Sequence, residues 1–247
     1  MANQPRLPGV KWPRGDFQRI GALERGSRSY AQSQGLAYTN KGIEGVRADP
    51  NNIVAIGSAV RKQQGQPTHV SPQMHESYQA LAEHIGKQYD YMTGPKESGG
   101  LGISVEVTPE DPYPSMREAR ADVSRNNRIK VLATGTTAAG HQGSHPALTP
   151  EVNDKFRAIH DVFGHLATGR DTSRHGEEAA VQHHAQMFPE VARPALMSEL
   201  RGQNSALIYT GDFPQDKPYD LPGWANNIQA KQPKRQRKTA ESPPSLF

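Results

Sequence analysis

Two segments of the chain begin with a hydroxyl residue followed by proline and continue with apolar residues at helical spacing. Ser71-Pro72 opens the first run, which extends to about Met92, and Thr149-Pro150 opens the second. A Ser or Thr side chain accepts from the free N–H groups of a first helical turn, and proline fits that turn because its missing N–H is not needed there. We predict two amphipathic helices from these runs. Their buried faces consist of Met74, Tyr78, Leu81, Ile85 and Tyr89 in the first and of Val152, Phe156, Ile159 and Phe163 in the second.

Shorter patterns complete the prediction of the fold. Residues 103–107 alternate apolar with polar side chains, and residues 128–133 form a second short strand-like segment. A helix is predicted between them over residues 116–125, and two more over residues 175–188 and from residue 190 to about 204. The predicted class is α+β and predominantly α, with a helical C-terminal half, a small two-stranded sheet and disordered termini.

The composition limits how much of the chain can belong to one core. Apolar residues make up 34% of the chain, the mean hydropathy is -0.78, and there are 20 Pro and 23 Gly. So few apolar residues can form a core only if part of the chain stays outside it. We predict an irregular N-terminal arm over residues 1–50, a single globular domain over residues 51–226, and a disordered basic tail over residues 227–247.

The chain has no Cys among its 247 residues. This excludes disulfides, thiolate metal sites and Fe–S clusters, so any metal must be held by His and carboxylate groups. No apolar run approaches the roughly 20 residues that span a bilayer, and the first residues lack the apolar segment of a signal peptide. We expect a protein with no membrane partner that is not secreted by a signal peptide.

Positive charge is concentrated near the C-terminus. The net charge is +4 and the pI is about 9.3, and residues 231–238 (KQPKRQRK) include five positive charges and no negative one. Such a stretch either binds nucleic acid through its phosphates or is a solvated, disordered end. The candidate nucleic-acid-binding residues are Lys231, Lys234, Arg235, Arg237 and Lys238.

Histidine is concentrated between residues 141 and 184, which hold seven of the ten His in the chain. Neutral imidazole and carboxylate groups together suit Fe, Zn, Mn or Ni. We expect a divalent ion, Fe or Zn, in this region, with His160 and His165 at its centre. The alternative for each His is an ordinary surface residue or a hydrogen-bonded core residue, so the spacing of the pair matters.

His160 and His165 are five residues apart. On a regular α-helix this spacing separates two side chains by about 140°. The two rings can therefore meet one ion only if the helix is distorted between them, which Gly164 could permit, and Gly169 is expected to end the helix. The HExxH motif of zinc proteases has its two His four residues apart, so this pair is not that motif.

Acidic residues on the later helices could complete the site. Glu177 and His184 are seven residues apart and so share one helix face, with Glu178 on another face. Glu199 falls in an apolar stretch, where a buried carboxylate needs a cation as its partner. If Glu177 with His184 and also Glu199 bound metal, the site could hold two ions. The candidate metal ligands are His160, His165, His184 and Glu199, the candidate catalytic residues are Asp161, Glu177 and Glu178, and the candidate substrate-binding residues are Arg157, Arg201, Gln203 and Asn204.

The string HDVFGH, residues 160–165, resembles the HExxGH iron motif of the pterin-dependent aromatic amino-acid hydroxylases. The resemblance implies ferrous iron held by His160, His165 and a later glutamate, which here would be Glu199. It extends over these six residues and that glutamate, and Asp161 stands where the family has Glu. Because no pterin-binding segment precedes the motif, the resemblance implies the ligands rather than the substrate.

Three longer blocks resemble a module of tailed-bacteriophage proteins. They are residues 156–165 (FRAIHDVFGH), 175–179 (HGEEA) and 199–205 (ELRGQNS), within a similarity that covers about residues 110–210. The resemblance implies a phage origin, action in the host cytoplasm or in the virion, and virion proteins as partners.

The string IHDVFGH also resembles the His-Asp signature of the HD phosphohydrolases. That likeness implies an upstream His, which His141 or His145 could supply, and a late Asp.

Three hypotheses on the function follow from these patterns and resemblances. The preferred one is a metal-dependent enzyme with a 2-His-1-carboxylate-like site that acts on a polar small molecule or a nucleotide. The others are an HD-type phosphohydrolase and a non-enzymatic virion or DNA-associated protein that uses the basic tail.

Overall fold

The computed structural model describes residues 17–39, 46–135 and 145–228. Its longest helix is α3 (Pro72–Thr93), and it begins as predicted, with the Ser71 hydroxyl accepting from the N–H of Met74 at 3.2 Å. The apolar face of α3 is buried against α5 (Pro150–Ile159) and α7 (Arg193–Met197). The first predicted helix is therefore confirmed, and it forms the centre of the main core.

The predicted two-stranded sheet is also confirmed. Strands β1 (Ser104–Thr108) and β2 (Arg128–Leu132) pair in parallel, with Val105 opposite Ile129. Helix α4 (Met116–Asn126) connects them, as a parallel pair requires a crossover. The side chains of Ile129 and Val131 are buried in the main core, so the sheet packs on the helices. The predicted class, α+β and predominantly α, is confirmed.

The prediction of an irregular arm over residues 1–50 is wrong for its middle part. Residues Gly21–Ser33 form helix α1, and the side chains of Leu23 and Tyr30 are buried in the main core. The Tyr30 ring lies 5.5 Å from that of Tyr91. Helix α1 has no side-chain N-cap and few apolar residues, so it lacks both features that mark a helix in a sequence. Its stability comes from packing, and the globular unit begins before residue 51.

The remaining elements form the helical C-terminal half and its cover. The second predicted helix is confirmed, capped by Thr149, and its last turns form a π-helix before Gly169 ends it with φ +75°. Helix α2 (Pro50–Gln63) packs on α8 (Gln203–Thr210), and the two helices contribute to a second, smaller apolar cluster. The elements not yet introduced are the π-helix His160–Leu166, α6 (Arg174–His184), the π-helix Ser198–Gly202, and 3₁₀ turns at Lys96–Ser98, Ala185–Met187, Glu190–Ala192 and Gly223–Asn226.

Some predictions fall on residues outside the described ranges. They are the ends of the chain, including the basic residues 231–238, and the loop that contains His141. Across the ranges that are described, no helix combines the length and the apolarity needed to cross a membrane.

Gly57 allows α2 and α8 to approach closely. A Cβ at this position would lie 2.5 Å from the Cβ of Tyr209 and 2.7 Å from the carbonyl oxygen of Ser205. We expect Gly57→Ala to lower the free energy of unfolding by about 1–3 kcal/mol, because it forces the two helices apart. The matched control is Gly86→Ala on α3, where no atom lies within 4 Å. That change should raise stability by about 0.5–1 kcal/mol. Urea unfolding of both variants measures the difference, and equal effects would refute the close contact.

Candidate metal centre

A π-helix brings His160 and His165 together. It spans His160–Leu166, and in a π-helix the backbone hydrogen bonds join residues five apart, so such residues lie about one turn apart. The two imidazole rings have centroids 5.1 Å apart and are nearly perpendicular. This is the distortion that the five-residue spacing requires. Glycine suits position 164 of this turn, because a Cβ there would be crowded, at 3.1 Å from the His160 ring and 3.3 Å from Ala180 on α6.

Glu177 is the carboxylate that faces this pair. Helix α6 is capped by the Ser173 hydroxyl and presents Glu177 in its first turn. Its carboxylate oxygens lie 3.8 Å from His160 Nε2 and 3.5 Å from His165 Nε2. With metal–ligand bonds of about 2.0–2.2 Å, two ligands of one ion lie roughly 3.0–3.5 Å apart. The three side chains therefore need only small shifts to bind one ion.

A chain of hydrogen bonds fixes the tautomer of His160. Gln88 donates its amide N–H to the carbonyl of Met187 at 3.1 Å, so its Oε1 faces His184 Nε2 at 2.9 Å and accepts from it. The Nδ1 atom of His184 therefore has a lone pair and accepts from His160 Nδ1 at 3.2 Å. The lone pair of His160 is thus on Nε2, a buried atom with no hydrogen-bond partner in the described part of the chain.

His165 is oriented in the same way. Its Nδ1 donates to the carbonyl of Arg170 at 3.0 Å, so in the neutral ring the lone pair is on Nε2, the atom that faces Glu177. Metal-binding His residues usually donate their other ring N–H to a carbonyl or a similar acceptor. Both His residues of the pair meet this condition.

The electrostatics of the group favour a bound positive charge. Burial alone would lower the pKa of His165, but the carboxylate of Glu177 outweighs it and raises that pKa to about 9. Burial opposes ionisation of Glu177, yet the adjacent His165 and His160 lower the pKa of Glu177 well below its usual range. A carboxylate that stays ionised among imidazoles attracts either a proton or a metal cation to the cluster.

His184, predicted as a ligand, does not share this group, and that prediction is corrected. Both of its ring nitrogens are engaged, one with His160 and the other with Gln88. Its ring is enclosed by three phenylalanines, the nearest of which is Phe188 with a centroid distance of 5.0 Å. Burial and the neighbouring His residues keep the pKa of His184 well below its usual value, so it stays neutral. His184 is therefore placed to orient the ring of His160.

Glu199, the other predicted ligand, lies in a different cluster with His145 and Asp216. Its Oε1 accepts from Tyr78 and from His145 Nε2 at 3.2 Å, and its Oε2 accepts from Gln203 at 2.8 Å. The prediction that Glu199 completes the site of His160 and His165 is therefore corrected, since both of its oxygens are engaged elsewhere.

The cluster around Glu199 is a hydrogen-bond network. His145 Nδ1 accepts from the backbone N–H groups of Ala147 and Leu148 at 3.0 and 2.9 Å. The proton of the neutral ring must then be on Nε2, where it is donated to Glu199. With neither nitrogen free, His145 has no lone pair for a metal.

Two of the predicted catalytic and substrate-binding residues form a structural ion pair. Glu178 accepts from Arg201, with 3.0 Å between Oε2 and the guanidinium Nε. Arg201 also donates to the carbonyl of Asn227 at 2.9 Å and to that of Ala225, so it ties α6 and the second π-helix to the segment 223–227. Gln203 is engaged by Glu199 and Asp216. These contacts occupy the donors that were expected to bind substrate.

The remaining predicted catalytic and substrate-binding residues are Asp161, Arg157 and Asn204. Asp161 is half-buried beside His160, and burial raises its pKa although the charges of His165 and His160 oppose the rise. Arg157 is half-buried, and within the described ranges its Nε has no hydrogen-bond partner. Asn204 lines a groove that reaches Glu177 between α2, α6 and α8. Sequence reasoning missed Gln88, Asp216 and Arg174, the last of which lines the same groove.

Comparisons of the chain with models of protein families, with curated proteins and with solved structures found no match. What the cluster does has to be inferred from its own chemistry.

Proposed function

We propose that this protein is a metal-dependent enzyme in which His160, His165 and Glu177 hold one divalent ion, Fe or Zn. The observation that carries the proposal is that two ring nitrogens with oriented lone pairs converge on one carboxylate. Two His and one carboxylate form the ligand set of non-haem iron oxygenases and of several zinc hydrolases. Three protein ligands leave positions open for water and substrate.

The ion would act on a molecule that enters through the groove at Glu177. Zinc would lower the pKa of a bound water and support hydrolysis, whereas ferrous iron would support oxygen chemistry. Asp161, next to His160 and within electrostatic range of both His residues, is the proposed general acid or base. The proposed substrate is a polar small molecule or a nucleotide.

Elemental analysis of the purified full-length protein tests the metal site. We expect about one equivalent of Fe or Zn per chain and its loss in His160→Ala. His75→Ala, an exposed His on α3, is the matched control and should keep the metal. Protein that contains no metal and binds neither added Zn²⁺ nor Fe²⁺ would contradict the proposal.

A second measurement separates a catalytic ion from a structural one. Co²⁺ bound by three protein ligands and water should change its visible spectrum when azide is added, because azide displaces the water. A closed structural site would leave the spectrum unchanged. That result would favour the non-enzymatic hypothesis.

The position of His145, one of the two residues that could supply the upstream His, favours the mononuclear site over an HD-type phosphohydrolase. That alternative needs an upstream His beside His160, and His145 is engaged with Glu199 and two backbone N–H groups. About two equivalents of metal per chain would support it instead.

Two further proposals follow from the sequence. The resemblance of residues 156–165, 175–179 and 199–205 to a phage module supports action in an infected host cell or in the virion. The five positive charges of residues 231–238 support contact with nucleic acid through its phosphates, in addition to the activity of the metal site.

A further inference from the structure

Two adjoining pockets form a groove that extends from Glu177, beside His160 and His165, along α6 towards the segment 223–227. Its inner part is lined by Glu177, Arg174 and Asn204, and its outer part by Asn52, Trp224 and Asn227. The two parts share the walls formed by Ile53 and Ser205 and by the Glu178–Arg201 pair. A ligand that occupies both parts would reach from Trp224 to Glu177.

The inner end suits an anionic group. Arg174 is the first residue of α6, three positions before Glu177, and its side chain makes no hydrogen bond or ion pair with any residue in the described ranges. The other arginine of this part, Arg201, is held by Glu178 and by backbone carbonyls. Arg174 thus keeps its guanidinium donors for a ligand. A divalent ion at Glu177 would add positive charge at the same end.

The outer end suits a planar aromatic group. The Trp224 side chain is 40% exposed, although tryptophan is usually well covered in a folded protein. Asn52 and Asn227 line the same pocket. A tryptophan face can stack on a nucleobase, and amide side chains can hydrogen-bond to the edge of the base.

We propose that this groove is a nucleotide site, with the base against Trp224 and the phosphate between Arg174 and the metal cluster. The phosphate end rests on the proposed metal function, whereas the contacts of Trp224 and Arg174 do not. The predicted role of Arg201 as the residue that binds the substrate anion passes to Arg174.

The two Trp of the chain give a direct readout. In a Trp12→Phe variant of the full chain, Trp224 is the only fluorophore of its type. We expect AMP, GMP, CMP and UMP to quench its emission saturably in the metal-loaded protein, and inorganic phosphate to leave it unchanged. Arg174→Ala should weaken AMP binding by about tenfold or more, since a hydrogen-bonded charge is lost. It should leave the weaker binding of adenosine unchanged. Arg125→Ala, an exposed arginine on α4, is the matched control.

The same titrations separate the two proposals. If the protein binds no metal but AMP still quenches Trp224, and Arg174→Ala weakens AMP binding, the groove proposal stands without the metal site. If metal binds and none of the four nucleotides quenches, the groove proposal alone is overturned. Equal AMP affinities for Arg174→Ala and Arg125→Ala would also overturn it. Calorimetric titration of Trp224→Leu checks that the quenching reports binding, because that variant should lose AMP affinity.

Discussion

Glu177→Gln should nearly abolish metal binding while Glu199→Gln leaves it intact. Glutamine removes the carboxylate from the group of His160, His165 and Glu177. The loss of affinity should exceed the roughly 10–100-fold that is typical when a residue behind the ligands is changed. Competition between the protein and a chromophoric chelator for Zn²⁺ measures the affinity of each variant.

The Glu199→Gln variant is a matched control because it makes the same chemical change in the neighbouring carboxylate cluster. It should lower stability, since Glu199 accepts hydrogen bonds from Tyr78, His145 and Gln203. Its metal affinity should stay within a few-fold of that of the unmodified protein. The reverse result would restore the ligand set implied by the likeness to the hydroxylases, with Glu199 in place of Glu177.

Gln88→Leu should lower metal affinity by about 10–100-fold, although Gln88 is linked to the ligand His160 only through His184. Gln88 accepts from His184, which in turn accepts from His160, so this amide decides which nitrogen of His160 has the lone pair. Leucine removes the acceptor and lets His184 and His160 change tautomer. Zn²⁺ competition and the visible spectrum of the Co²⁺ protein follow the change in affinity and in ligand geometry.

Two companion variants separate orientation from folding. Gln88→Glu keeps an oxygen that accepts from His184, so metal affinity should largely recover compared with Gln88→Leu, even though the contact with Met187 is lost. Gln79→Leu changes an exposed glutamine of the same helix and should have no effect. If all three variants bound Zn²⁺ equally well, the hydrogen-bond chain would have no role in orienting His160.

Sequence reasoning succeeded where a local pattern determines the structure. The Ser71 and Thr149 caps, each followed by proline, mark helix starts that the structure has at the same residues. Helix α1 could not be predicted in this way, because its first turn is uncapped and its burial depends on partners far along the chain. One such partner is Leu166, whose carbonyl accepts from the N–H of Ile20 at 2.9 Å.

The site was predicted in part. The pair His160 and His165 was found from composition and spacing, together with the need for a distorted helix, but a π-turn depends on packing that no local pattern encodes. Glu199 was predicted as the ligand instead of Glu177 because of the resemblance to the hydroxylases. Glu177 lies beside the histidine pair because α6 packs against the π-helix, and this packing is a tertiary contact. One feature of the sequence did indicate Gln88. It is a polar residue on the stripe formed by Leu81, Ile85 and Met92, and all four are buried.

The π-turn at His160–Leu166 also sets the phase of the helix that contains it. It holds one residue more than an α-helical turn, and in a regular α-helix that residue would rotate everything after it by about 100°. Removing one residue between the two His would restore a regular helix and leave the pair four apart on one face. The same deletion would leave the carbonyls of Leu166 and Gly169 facing Ile20 and Phe17, which they now bind, because residues after the turn keep their orientation relative to His160. The wider turn thus absorbs the extra residue and keeps the histidine pair in phase with the carbonyls that bind the N-terminal segment.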